Sequence, residues 1–288
     1  MKIGIGLPNT VPGTPGTLLV DWARRAEERG FVGLSTLDRI VYPGYDSLTT
    51  LAAAAGATTR IGLFTDILLA PVYPTALLAK ATASLDQLSG GRLTLGLAPG
   101  GRPDDYAAAG RDFGSRGRDF DAQLEVLHRA WRGEPVEGGG KPVGPGPAHG
   151  QRVPILFGGT SERAIRRVVR WGEGWTAGGG TPEMAAPMVD RVRAAWKDVG
   201  RAGEPRFAAL AYYSLGADAE DDSRAALRDY YAFTGDYAEM IAQGALRSEA
   251  AIRDTARAYE DLGFAEFYLD PTVARLDQVD RLADTVLS

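Results

Sequence analysis

Short apolar runs alternate along this chain with longer stretches in which apolar residues recur every three or four positions. The runs predict strands at Lys2–Leu7, Val32–Leu37, Arg60–Leu69, Arg92–Ala98, Val153–Phe157, Gly174–Ala177, Arg206–Leu215 and Phe264–Leu269. The periodic stretches predict helices at Thr17–Arg29, Ser47–Thr58, Thr75–Leu88, Arg116–Arg132, Ser161–Trp171, Pro182–Val199 and Leu276–Leu287, with one extended helical region over Ala219–Asp261. Strands that alternate with helices at this spacing form a parallel sheet. Eight such units imply closure into one (β/α)8 barrel over residues 1–288, a TIM barrel with insertion loops; an open doubly wound sheet is the alternative. Gly133–Arg152 breaks the rhythm, being rich in Gly and Pro without periodicity, and reads as a long loop inside the domain.

In such a barrel the chemistry lies at the carboxyl ends of the strands. There the chain places Asp38, Arg39 and Tyr42 after strand two and Asp66 inside strand three. It places Ala98, Pro99 and Gly100 after strand four, then the polar loop Arg102–Tyr106. Gly158, Gly159 and Thr160 follow strand five, ahead of a helix. Glycines before a helix N-terminus let backbone N–H groups approach a phosphate; the same residues also read as turn glycines before a Ser161 cap. A carboxylate within a buried strand, as at Asp66, is costly unless it is paired or hydrogen-bonded.

Composition narrows the classes. The net charge of −5 does not suit nucleic acid, and no stretch is long and apolar enough to span a bilayer. The chain has no Cys, which excludes a disulfide framework, a thiolate zinc site and a thiol nucleophile. No metal-ligand spacing is found. Without a leader-like N-terminus the expected location is the cytoplasm.

The stretch SLDQLSGGRLTLGLAPGGRPDDYAAAG (Ser84–Gly110) resembles the luciferase-like monooxygenase family, the flavin and deazaflavin enzymes related to bacterial luciferase. LDR after strand two, TDILLAPVYP, RGRDFD, LFGGTS and GEGW follow that family's order, so the resemblance covers nearly the whole chain. It implies a flavin-dependent oxidoreductase, a two-component monooxygenase in which a separate reductase supplies reduced FMN to oxygenate a small organic substrate. Hydride transfer with coenzyme F-420 is the alternative, and a non-catalytic flavin-binding protein is the second.

The resemblance further implies a flavin phosphate at Gly159 and Thr160, reached by Arg118, and a cis Asp66–Ile67 peptide behind the ring. It implies backbone contact of Ala98, Pro99 and Gly100 with the phosphate or ribityl chain, a mobile loop near the site over Gly133–Arg152, and a homodimer. Many relatives carry His where this chain has Arg39. Its histidines, His128 and His149, lie elsewhere. An arginine cannot serve as a base near neutral pH, so Arg39 reads as an anion-binding or oxygen-stabilising group. Asp38, Tyr42, Tyr73 and Tyr212 are left as proton-handling candidates.

Overall fold

A computed structural model of the protein describes residues 1–136 and 140–287. Eight parallel strands, hydrogen-bonded in sequence order, close into a barrel. They are β1 (Lys2–Gly6), β2 (Gly33–Thr36), β3 (Gly62–Leu69), β4 (Leu93–Ala98), β5 (Ile155–Phe157), β6 (Gly174–Ala177), β7 (Arg206–Tyr213) and β8 (Glu266–Pro271). The helices around them are α1 (Gly16–Arg29), α2 (Ser47–Ala57), α3 (Thr75–Ser89), α4 (Pro103–Ala108), α5 (Arg116–Trp131), α6 (Glu162–Trp171), α7 (Pro182–Asp198), α8 (Glu220–Tyr230), α9 (Tyr237–Gly244), α10 (Glu249–Asp261) and α11 (Asp277–Val286). The closed barrel predicted from the alternation is what the chain forms; an open sheet is not.

The period of two along each strand sorts side chains between two cores. On β8, Phe267 and Leu269 face outward into the large cluster shared with the helices, while Glu266, Tyr268 and Asp270 face the barrel interior. The interior is layered. At its foot Arg206 donates to both Glu266 oxygens at 2.7 Å. Above them Phe64, Leu156, Ala208 and Tyr268 fill the middle. Tyr268 fits because β1 and β2 offer Gly4 and Gly33 opposite it; a Cβ would stand 2.3 Å from its ring at Gly4 and 2.6 Å from its hydroxyl at Gly33. Asp66, Thr176 and Asp270 form the uppermost polar layer, just below the mouth.

Three segments differ from the sequence expectation. The polar stretch after β4 is not a loop, because Pro103 starts the short helix α4 and Asp104 and Asp105 occupy its first turn. The region Ala219–Asp261 is not one helix. It breaks at a 3-10 turn (Ala232–Thr234) before Gly235, and again after Gly244, giving α8, α9 and α10.

The loop Gly133–Arg152, expected near the site, lies at the other end of the barrel. The Ala148 N–H donates to Asp86 at 2.8 Å, Gln87 donates to the Gly146 carbonyl, and His149 packs on Gly90 and Gly91 at the start of β4. The reason is topological. α5 descends from the mouth, so the segment joining it to β5 begins at the foot. Residues 137–139 of that loop lie outside the described residues.

Candidate functional site

Two cavities adjoin at the carboxyl ends of the strands and share Ile67 and Gly178. The first, about 260 Å³, is bordered by Asp38, Asp66, Ala98, Gly100, Arg102 and the roof tyrosines described below. The second, about 240 Å³, reaches Gly159, Thr160 and Trp175. Ile67 stands between them because the β3–β4 register shifts between Thr65 and Leu68, which lets the strand bulge into the mouth. The Asp66–Ile67 peptide is cis.

Asp38 is buried on the wall of the first cavity. Its carboxylate accepts the Leu69 N–H at 2.9 Å and the Tyr73 hydroxyl at 3.0 Å. Burial outweighs those bonds and raises its pKa to about 7. Asp66 accepts from the Thr176 hydroxyl at 2.9 Å and has no arginine partner. Burial, with the nearby Asp270 carboxylate, holds it well above the usual carboxylate range. Its Oδ2 has no hydrogen-bond partner. Asp270, which accepts from Ser35 at 2.8 Å, is pushed up to about 7 by burial.

The glycine turn after β5 is shaped by its neighbours. A Cβ at Gly158 would lie 2.0 Å from the Ile67 Cδ1, and Gly159 has φ +92°. Trp175 Nε1 donates to the Gly159 carbonyl at 2.9 Å, and Arg191 donates to the Thr160 carbonyl at 3.1 Å. Ser161 caps α6 by accepting the Ala164 N–H. Gly159 and Thr160 therefore present a fixed turn at a helix N-terminus that borders the second cavity.

A roof covers the first cavity. It comes from α8 and the turn after it, with Tyr230 buried, Tyr231 half-buried and Phe233 beside them. Arg39 and Tyr42 hold this roof and do not border the cavity. Arg39 donates to the Tyr230 carbonyl at 2.8 Å and pairs with Asp104 at 3.7 Å. Tyr42 donates to Asp229 at 2.6 Å and meets the Tyr230 ring edge-on. Asp105 ties the loops together by accepting the N–H groups of Ile40 and Val41.

The structure thus brings Asp38, Asp66, Ala98, Gly100, Gly158, Gly159 and Thr160 to the mouth. Pro99 supplies a carbonyl to the Tyr106 hydroxyl. Arg118 stands apart, its side chain 80% exposed and paired with Asp119 at 3.2 Å. Both histidines lie toward the foot. His128 is stacked on Trp171, and burial lowers its pKa to about 4. Among the described residues no group of three His, Cys, Asp or Glu is placed to hold a metal ion, and no helix is long and apolar enough to cross a membrane.

Three contributors escape the sequence reading: Arg102, Thr176 and the Tyr230–Tyr231 pair. The clustered aromatics in DYYAFTGDY were the one signal that could have found the roof.

Residues 1–279 match the model of the luciferase-like monooxygenases. The chain belongs to that family. An uncharacterized protein of Mycobacterium tuberculosis strain H37Rv is 31% identical over 215 residues, 65% of this chain and 74% of that protein. Among solved structures, the monooxygenase RslO1 from Streptomyces bottropensis superposes with a TM-score of 0.79 at 22% identity, covering 100% of this chain and 99% of that one. An F420-dependent secondary alcohol dehydrogenase gives 0.79 at 15% identity, over 99% and 98% of the chains. The F420-dependent tetrahydromethanopterin reductase from Methanopyrus kandleri gives 0.77 at 16% identity, over 100% and 99%. At these identities the likeness establishes a shared barrel.

Proposed function

We propose that this luciferase-like oxidoreductase is an FMN-dependent monooxygenase, fed with reduced FMN by a separate reductase, that oxygenates a small organic substrate. The observation that carries the reading is the pair of adjoining cavities. One ends on a glycine turn at a helix N-terminus, and the other is roofed by aromatic side chains. The residues fit the group. Gly158 lets Ile67 pack at the mouth, where a Cβ would stand 2.0 Å from its Cδ1, and the buried Asp66 Oδ2 beside the cavity has no hydrogen-bond partner.

In this reading Gly159 and Thr160 hold the phosphate, Ile67 supports the ring, and Ala98 and Gly100 give it a flat floor. Bound reduced flavin supplies the electrons for oxygen chemistry. The chain's own task is to orient the substrate, keep water out under Tyr230 and Tyr231, and handle protons at Asp38 and Asp66. Arg39 and Tyr42 serve by holding the roof closed. A homodimer accords with the family resemblance.

Coenzyme F-420 hydride transfer is the second reading, favoured by one surface feature. α6, which starts just after the Thr160 turn, lines a hollow of about 210 Å³ with Arg163, Arg166, Arg167 and Arg170. A row of arginines suits an acidic tail.

Calorimetric titration with FMN and F-420, each oxidised and reduced, tests both readings. The expected result is preference for reduced FMN. Preference for F-420 would transfer the protein to deazaflavin hydride chemistry, and binding of neither would overturn the site. FMN binding with no oxygen consumption on a supply of reduced FMN would indicate a non-catalytic flavin carrier.

A further inference from the structure

Most arginines packed into this protein have acidic or multiple carbonyl partners. Arg206 has Glu266, Arg167 has Asp121, and Arg39 has Asp104 and the Tyr230 carbonyl. Arg102 is 9% exposed and makes no ion pair among the described residues. Its Nε has no hydrogen-bond partner. Its guanidinium lies 4.7 Å from the Tyr230 ring centroid and 4.5 Å from that of Phe233, and it also meets the Tyr230 hydroxyl. Rings packed on a guanidinium stabilise it and leave its N–H edge as the direction for an acceptor. Taking a cation out of water without an anion is otherwise costly.

Arg102 borders the first cavity together with Leu37, Leu69 and Leu210. Arg102 does not border the second cavity, and Gly159 and Thr160 do not border the first. The phosphate turn and this arginine therefore lie in different cavities. The acids of the first cavity do not cancel the arginine. Burial raises the Asp66 carboxyl well above the usual range, and Asp38, raised to about 7, keeps its proton over much of the range below neutrality.

We propose that Arg102 is the anion-binding, specificity-determining residue of the substrate pocket, and that the substrate is a carboxylate with an apolar body. The carboxylate meets the guanidinium edge, and the apolar part lies against Leu37, Leu69, Leu210 and the roof tyrosines. The proposal rests on the oxidoreductase reading only for what the pocket is used for; the anion site stands on the geometry of Arg102.

The test uses the full chain, alone and with FMN, in calorimetric titrations with benzoate and with benzamide, its neutral counterpart of the same shape. At about pH 6 Asp38 is mostly protonated. Benzoate is expected to bind at least about ten-fold tighter than benzamide. Arg102→Gln should abolish that preference, and Arg102→Lys should keep part of it, because the charge remains and the planar fork is lost. Equal binding of the two probes by the unaltered chain, no binding of benzoate, or a preference that survives Arg102→Gln would overturn the proposal. Should Arg102→Gln not fold, the unaltered chain and Arg102→Lys decide between these outcomes. FMN binding without a benzoate preference sinks this proposal alone. A benzoate preference without binding of either cofactor sinks the oxidoreductase reading alone.

Discussion

Asp270 shows how far one buried carboxyl can tilt the stability of the molecule. Burial raises it to about 7, while Ser35 is its one hydrogen-bond donor and its Oδ2 has no partner. An acid whose folded pKa is raised holds a proton in the folded state that the unfolded chain has already released. Stability therefore falls as pH rises from about 4 to about 7, and is constant with respect to this group above that window. Asp38, also at about 7, acts in the same direction. Between pH 5 and pH 8 the Asp270 contribution is about 3 kcal/mol. Asp270→Asn keeps an oxygen for Ser35 and removes the titration. Urea unfolding should show a drop over that interval about 3 kcal/mol smaller in the variant; equal pH profiles would refute the assignment.

Gly158 gives a second residue-scale expectation. Its missing Cβ leaves space for the Ile67 Cδ1 at 2.0 Å. Gly158→Ala should cost about 1–3 kcal/mol by overpacking. In an Ile67→Val background, where that methyl is gone, denaturant melts should show less than half of the penalty. An undiminished penalty would place the strain elsewhere. The glycine was legible in the sequence as a turn residue. The methyl that demands it was not, because Ile67 arrives there through the β3 bulge.

At the scale of elements, the motif that marks the family most visibly is structural. SGGR lies at the foot of β4, far along the strand from the mouth. Arg92 there donates to the carbonyls of Ser89, Ala55, Thr58 and Ile61 and to the Thr58 hydroxyl, binding α2 and α3 to the barrel. Arg92→Ala should destabilise the fold by about 2–4 kcal/mol, since several buried carbonyls lose their donor, and leave FMN affinity unchanged. A weakened affinity in a fully folded variant would show that the foot and the mouth are coupled.

The roof gives the opposite case, an element with a functional place and no motif. α8 is held to the β2 loop chiefly by Arg39 and Tyr42. Arg39→Gln and Tyr42→Phe should lower hydrogen-exchange protection over residues 220–244 while the barrel strands keep theirs. Loss of protection spread evenly over the barrel would mean that the roof is not a separable unit. Residues 219–261 read as one helical region because the breaks depend on Gly235 and on packing over the mouth, neither of which alters the helical period of the flanks.

For the whole molecule, the alternation of elements was enough to fix the closed barrel, because each strand must cover its apolar faces on both sides. It was not enough to locate Gly133–Arg152, where polarity and glycine content suggested a site and the direction of α5 decided against it. Nor could it single out Arg102 among so many arginines, since its burial arises from an α8 that is distant in sequence. The candidate cofactor turn, in contrast, was legible from local pattern, and it joins elements across the barrel: Trp175 of β6, Ile67 of β3 and α6 all meet there.

A ligand gripping that junction stabilises the closed barrel as a unit. At a free concentration of 100 times Kd the gain is about 2.7 kcal/mol, or a rise in Tm of roughly 4–5 °C for a barrel of this size. Thermal melts with saturating FMN or F-420 should therefore shift one cooperative transition for the true cofactor. Adding the apolar carboxylate should raise Tm further only while Arg102 is present. A cofactor that sharpens part of the melt and leaves the main transition in place would bind at the surface, along the α6 arginines, and not in the mouth.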